Sequence, residues 1–196
     1  MRVFGIDPGS ERTGYGCVET DGRSHRLVMC GAISTAGATC FAARLGVIHR
    51  GLVDLLRESA PSVVAIENLF YATNVRSALK LGHARGVAML AAIEAGLEVV
   101  EYTPTEIKRA VVGYGRAEKP QVQQMITLLL GLAAPPSPHD ASDALAVALC
   151  HVHRMPAAAA VASGRRAPTT AKSWRTYRPA APAAPRGSGR PSVRRS

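Results

Sequence analysis

A chain of 196 residues, 47% of them apolar and with a formal charge of +10, is long enough to bury one proper core, so a single globular domain is expected. The charge is lopsided: residues 156–196 hold nine Lys or Arg and no acid, whereas residues 1–155 hold fifteen basic and fourteen acidic residues, a net of +1. No apolar run approaches the roughly 18 residues of a membrane span and no signal peptide opens the chain, which excludes a membrane partner and predicts a cytoplasmic protein.

In chain order, Val3 to Asp7, Gly14 to Thr20 and Leu27 to Thr35 read as three short strands joined by the turns Pro8-Gly9 and Asp21-Gly22, an antiparallel meander. Leu45, Ile48, Leu52, Leu55 and Leu56 then recur at helical spacing until Ser59-Ala60-Pro61 stops the helix, and Val63-Val64-Ala65-Ile66 forms a buried strand that turns the sheet parallel. A long helix from about Val75 to Ala95, a strand at Glu98 to Tyr102 and helices near 104–112, 118–130 and 140–153 complete the pattern. The prediction is α/β: a mixed five-stranded sheet with helices on both faces, matching the ribonuclease H-like architecture as one candidate among several. Residues 156–196, rich in Ala, Pro, Gly and Ser, form a separate basic segment predicted to be disordered. Such a tail either raises affinity for phosphate by counterion release or serves as a solubilising extension.

The cysteines Cys17, Cys30, Cys40 and Cys150 include no CxxC pair, so zinc ribbons and redox motifs lack support and buried free thiols are expected. Cys150, His151 and His153 are too crowded on one predicted helix to converge on zinc.

Most carboxylates are solvated surface groups, so a functional claim needs acids in places where solvation is an awkward explanation. Asp7 ends the apolar run Val3-Phe4-Gly5-Ile6, and Glu67 ends Val63-Val64-Ala65-Ile66; both belong at the carboxyl ends of central strands, where α/β sheets bind ligands. Asp140 and Asp143 share one face at the start of the last helix, and Asp140 is also placed to cap it. Four converging carboxylates repel one another and call for hard cations, Mg²⁺ or Mn²⁺. Two ions about 4 Å apart suit phosphodiester hydrolysis, with Asp7 as the natural bridging ligand. His139 is a candidate for orienting water or taking up a proton, against the plainer role of a solvated helix cap.

Five stretches carry a family resemblance: GIDPGSERTGYG (5–16), AIENLFYATN (65–74), SALKLGHARG (77–86), VVGYGRAEKPQVQ (111–123) and HDASDALAVALCHVH (139–153). Together they resemble the RuvC-type crossover junction endodeoxyribonucleases, the bacterial Holliday junction resolvases, over essentially all of residues 1–155. The resemblance implies a metal-dependent, structure-specific endonuclease of DNA recombination and repair, with Asp7, Glu67, Asp140 and Asp143 as catalytic metal ligands. It further implies a homodimer that nicks four-way junction DNA symmetrically and leaves 5′-phosphates. The branch-migration proteins RuvA and RuvB are the partners it suggests.

Lys108 and Lys119 match family lysines that contact DNA phosphates, and Phe70 matches an aromatic that stacks on an unpaired base at the crossover. Tyr71 is its neighbour; Arg76, Lys80 and Arg85 are auxiliary candidates that a solvated helix face also explains. Ala78, Gly82 and Gly86 recur every four residues, which suits either a dimer contact or internal packing. Two other classes compete. An Asp-Pro-Gly turn after a first strand also occurs in actin-like and sugar-kinase ATPases, which need two such domains and no HDASD pair. A junction-binding module without cutting would have no need of four acids, and the RNA-trimming YqgF type lacks the lysine-bearing loop.

Overall fold

The computed structural model describes residues 1–68 and 74–155. Strands β1 (Arg2–Asp7), β2 (Arg12–Thr20) and β3 (His25–Ser34) form the antiparallel meander, and β4 (Val63–Glu67) and β5 (Glu98–Tyr102) extend the sheet in parallel from the other side of β1. The order β3-β2-β1-β4-β5 puts β1 at the centre, and Val3, Phe4, Gly5 and Ile6 are accordingly buried along its whole length. A strand covered on both faces reads as a continuous apolar run, as this one does.

Period-two alternation divides the core into two halves. Phe4, Ile6, Val64 and Ile66 point to a cluster with Ile48 and Leu52 of α1 (Phe41–Ser59) and Ala84 and Ala88 of α2 (Val75–Glu94). Val3, Val63 and Ala65 point the other way. They meet Ile107 of α3 (Pro104–Val112), Ile126 of α4 (Lys119–Leu129), and Leu145 and Leu149 of α5 (His139–Arg154). The predicted mixed sheet with helices on both faces is therefore the observed one.

Helix ends follow local chemistry. Ala60 closes α1 in the left-handed region at φ 43°, its N–H bonded to the Leu56 carbonyl, and Pro61 prevents continuation. Thr103 and Glu106 form a reciprocal capping box on α3 with Pro104 in its first turn, and Gly113 ends it at φ 95°. Asp140 does not cap α5 as expected: the cap position is Pro138, and Asp140 lies within the first turn, where its charge favours the helix dipole. All four thiols are free as expected and Cys17 and Cys150 are buried, whereas Cys30 is only half-buried and Cys40 is exposed. The imidazoles beside Cys150 diverge as expected. His151 Nδ1 lies 2.8 Å from the Tyr102 hydroxyl, and His153 Nδ1 lies 2.9 Å from the Ala110 carbonyl oxygen. The predicted disorder of 156–196 concerns residues outside the described ones.

Candidate active site

The first motif assembles the site through its glycines. A side chain at Gly5 would lie 2.1 Å from the Ala144 carbonyl oxygen, one at Gly14 would lie 2.1 Å from that of Asp140, and one at Gly16 would meet Leu145 at 2.7 Å. Their absence lets α5 lie directly on β1 and β2. Gly14 pairs with Asp7, so the close crossing at Gly14 also brings the first turn of α5, with Asp140 and Asp143, to the end of β1. Glu67 arrives from the adjacent parallel strand, where Ile6 is in register with Ile66. All four predicted acids thus face one region at the carboxyl ends of β1 and β4.

Electrostatics show how closely they are coupled. Burial, followed by repulsion from Glu67 and Asp143 and more weakly Asp140, pushes the Asp7 carboxyl up to about 8, and a hydrogen bond with Glu67 adds to the shift. Glu67 is also raised, mainly by burial, while the Asp7 bond and the charges of Lys119 and Lys108 act in the opposite direction. Both carboxyls of this pair are therefore pushed towards the protonated form. Basic side chains are drawn in around them: Lys119 Nζ is 3.0 Å from Asp143 Oδ2, and Arg12 Nη1 is 3.9 Å from Asp140 Oδ2.

Among the described residues no three His, Cys, Asp or Glu side chains are placed closely enough together to hold a metal ion as they stand. The donor set nevertheless fits a hard divalent cation. It consists entirely of carboxylate oxygens, and its central member, Asp7, is half-buried at a strand end beside the other three acids, which repel its charged form. Cations placed among the four acids would remove the repulsion that now raises Asp7.

The remaining candidates are distributed as follows. Lys108 is half-buried on α3 and Lys119 is the first residue of α4, both close enough to act on Glu67. His139 opens α5 with Nδ1 2.6 Å from Gln123 Nε2, an arrangement that fixes the ring beside the acids. Arg76 is exposed at the start of α2, and Lys80 Nζ lies 6.0 Å from the Phe41 ring centroid. Arg85 is not a solvated charge: it pairs with Glu101, which also accepts from Asn68 Nδ2 at 3.0 Å, next to Glu67. Phe70 and Tyr71 lie outside the described residues. Arg12 escaped the sequence reading, although its position within the first motif, five residues beyond Asp7, was the available signal.

A five-stranded sheet of this order, with acids gathered at the carboxyl ends of its two central strands, defines a nuclease of the ribonuclease H-like class. Comparisons narrow the class. The sequence model of the family described as "Crossover junction endodeoxyribonuclease RuvC" matches residues 3–151. The RuvC of Koribacter versatilis is 53% identical over 154 residues, covering 78% of this chain and 93% of that protein. That of Syntrophotalea carbinolica is 56% identical over 153 residues, with 78% and 94% covered. The Thermus thermophilus RuvC solved in complex with Holliday junction substrate superposes with a TM-score of 0.74 at 37% identity, covering 78% of this chain and 93% of that one. The chain belongs to the RuvC family of crossover junction endodeoxyribonucleases.

Proposed function

We propose that this endonuclease resolves four-way DNA junctions by hydrolysis at the Asp7, Glu67, Asp140 and Asp143 cluster, which would hold two Mg²⁺ or Mn²⁺ ions. The observation that carries this reading is the gathering of the four acids, Asp7 and Glu67 at the ends of adjacent strands and Asp140 and Asp143 on the turn of α5 that crosses at Gly14, where their mutual repulsion calls for cationic charge. When bound, such ions supply activation of a water and stabilisation of the departing oxygen. Asp7, Glu67, Asp140 and Asp143 would hold the ions through their carboxylate oxygens. Lys108 and Lys119 hold the phosphodiester over the acids by charge-assisted contacts. His139, whose Nδ1 accepts from Gln123 Nε2, carries its ring proton on Nε2 and would orient the attacking water by donating to it.

Symmetric cutting requires two such sites. The exposed stripe Val75, Leu79, Leu90 and Ile93 on α2, flanking an apolar groove of about 490 Å³ floored by Ala78, Gly82 and Gly86, supports pairing with a second copy. Phe70 follows Glu67 closely enough in sequence to act as the stacking residue that keeps a crossover base displaced. The products would be paired nicks with 5′-phosphates. The cytoplasm, where RuvA and RuvB would engage the junction, is consistent with the finding that no helix among the described residues is long and apolar enough to cross a membrane. Incubating the protein with a four-way junction, linear duplex and structured RNA, each with Mg²⁺, Mn²⁺ or chelator, tests this reading. Metal-dependent cutting confined to the junction is expected, and cutting of RNA or none of the three would overturn it.

A further inference from the structure

A trough of about 660 Å³ opens directly beside Asp140, between the Gly9–Arg12 turn, the end of β3 and Arg44 of α1. A second, of about 540 Å³, continues from it along the start of α1 to Arg50, the two sharing Ser34 and Thr35. The walls are pinned together: the Thr35 N–H donates to the Glu11 carbonyl at 3.0 Å, and its buried hydroxyl donates to the Ser10 and Glu11 carbonyls at 3.1 Å each. The trough is therefore preformed.

Its chemistry is cationic and uncrowded. Arg12, Arg44 and Arg50 line it, and Ala36, Gly37, Ala42, Ala43 and Gly46 keep its surface low enough for a polymer backbone to approach. The Arg50 guanidinium folds back over Gly46, where a side chain would lie 3.2 Å from its Nη1. Outside the catalytic cluster the only acid among the described residues lining the two troughs is Glu11, whose side chain is 83% exposed and touches Arg44 at 3.5 Å, a pair that a phosphate can readily displace. The first turn of α1 contains no acid that would repel one.

We propose that this trough is a second track for the DNA backbone, in which Arg44 and Arg50 take phosphates of the duplex arm that leaves the crossover past Asp140. Arg12, within reach of Asp140, marks the junction between the track and the catalytic acids. Lys108 and Lys119 approach the acids from α3 and α4, so the track adds contacts from separate elements, β3 and α1. Continuity with Asp140 favours DNA over a free anion, because three arginines strung along one helix and its neighbouring turn suit successive phosphates.

This inference rests on the junction-nuclease reading, and its test separates the two. The full chain and the Arg44→Gln/Arg50→Gln pair are compared for four-way junction affinity across salt concentrations in chelator, and for cutting at saturating junction with Mg²⁺. The pair is expected to bind roughly tenfold more weakly, with a salt slope smaller by about 1 to 2, while the saturated cutting rate stays within about twofold. Arg44→Lys/Arg50→Lys is expected to restore most of the slope. Neutral methylphosphonates in the arm beyond the scissile position give an independent readout on the unaltered protein: they should weaken its binding yet cost the Gln pair nothing further. Equal affinity and slope in the Gln pair, or methylphosphonates without effect on the unaltered protein, would overturn the track. Failure of the unaltered protein to bind or cut junctions would instead overturn the nuclease reading.

Discussion

Lys119 Nζ lies 3.0 Å from Asp143 Oδ2, so an ammonium sits on one of the four acids proposed to hold metal. Contact with Asp143 raises the lysine's proton affinity, and the ammonium therefore remains charged at any pH of interest. A fixed positive charge there opposes a divalent ion on Asp143. Lys119 is 74% exposed, which limits the effect to about 1 kcal/mol. Lys119→Met is predicted to bind Mn²⁺ roughly two- to fivefold more tightly by calorimetry without DNA, while binding junctions more weakly. Unchanged or poorer ion affinity would show that the lysine moves aside at no cost.

Asp7 makes the folded state pH-sensitive. Its carboxyl is raised from the usual 3.8 to about 8, so the folded protein holds this proton more tightly than the unfolded chain does. The resulting stability is complete below pH 4 and is lost as pH climbs towards 8. In chelator, and with the other groups' titration subtracted by comparison with Asp7→Asn, the melting temperature should fall between pH 5 and 8. At pH 8 Asp7→Asn should be the more stable by on the order of 2 kcal/mol, several degrees. Mg²⁺ should raise the melting temperature of the unaltered protein and barely affect the variant. Parallel pH profiles for the two proteins would place the proton elsewhere.

On α2, Leu79 is 59% exposed and Leu90 51%. Substituting glutamate at both should leave the melting temperature of the protomer nearly unchanged, because neither side chain belongs to the core. With this face pairing two copies as proposed, light scattering should report a dimer for the unaltered protein and a monomer for the variant, and paired nicks should become single and uncoordinated. A variant that remains dimeric would move the interface to another face.

Phe70 can be tested although it lies outside the described residues. Stacking on a displaced base is worth roughly 1 to 3 kcal/mol, so Phe70→Ala should slow cutting of a fully paired junction about ten- to hundredfold. A junction with unpaired bases at the crossover should recover most of the rate. Equal defects on both substrates would reject the stacking role.

Much of this was legible in the sequence for identifiable reasons. The run Val3-Phe4-Gly5-Ile6 can be buried on both faces only at the centre of a sheet, which fixes Asp7 at a strand end, and the same logic places Glu67. Spacing put Asp140 and Asp143 on one helical face. Contacts between distant segments were not legible. Nothing local says that Arg85 reaches Glu101, that Arg12 reaches Asp140, or that the glycines of the first motif serve an α5 that begins more than a hundred residues later. The supposed Asp140 cap failed because Pro138 takes the cap position and leaves Asp140 inside the helix, free to face Arg12. Periodicity reports what an element buries, not which partner it meets.

The central claim is that the four acids do the chemistry while other groups hold the DNA. It is tested most directly by Asp7→Asn, with binding and cutting of one four-way junction measured on the same preparation. Binding in chelator should stay within a few fold of the unaltered protein, because it rests on phosphate contacts, and cutting with Mg²⁺ or Mn²⁺ should fall below detection. Appreciable metal-dependent cutting by Asp7→Asn would contradict the account.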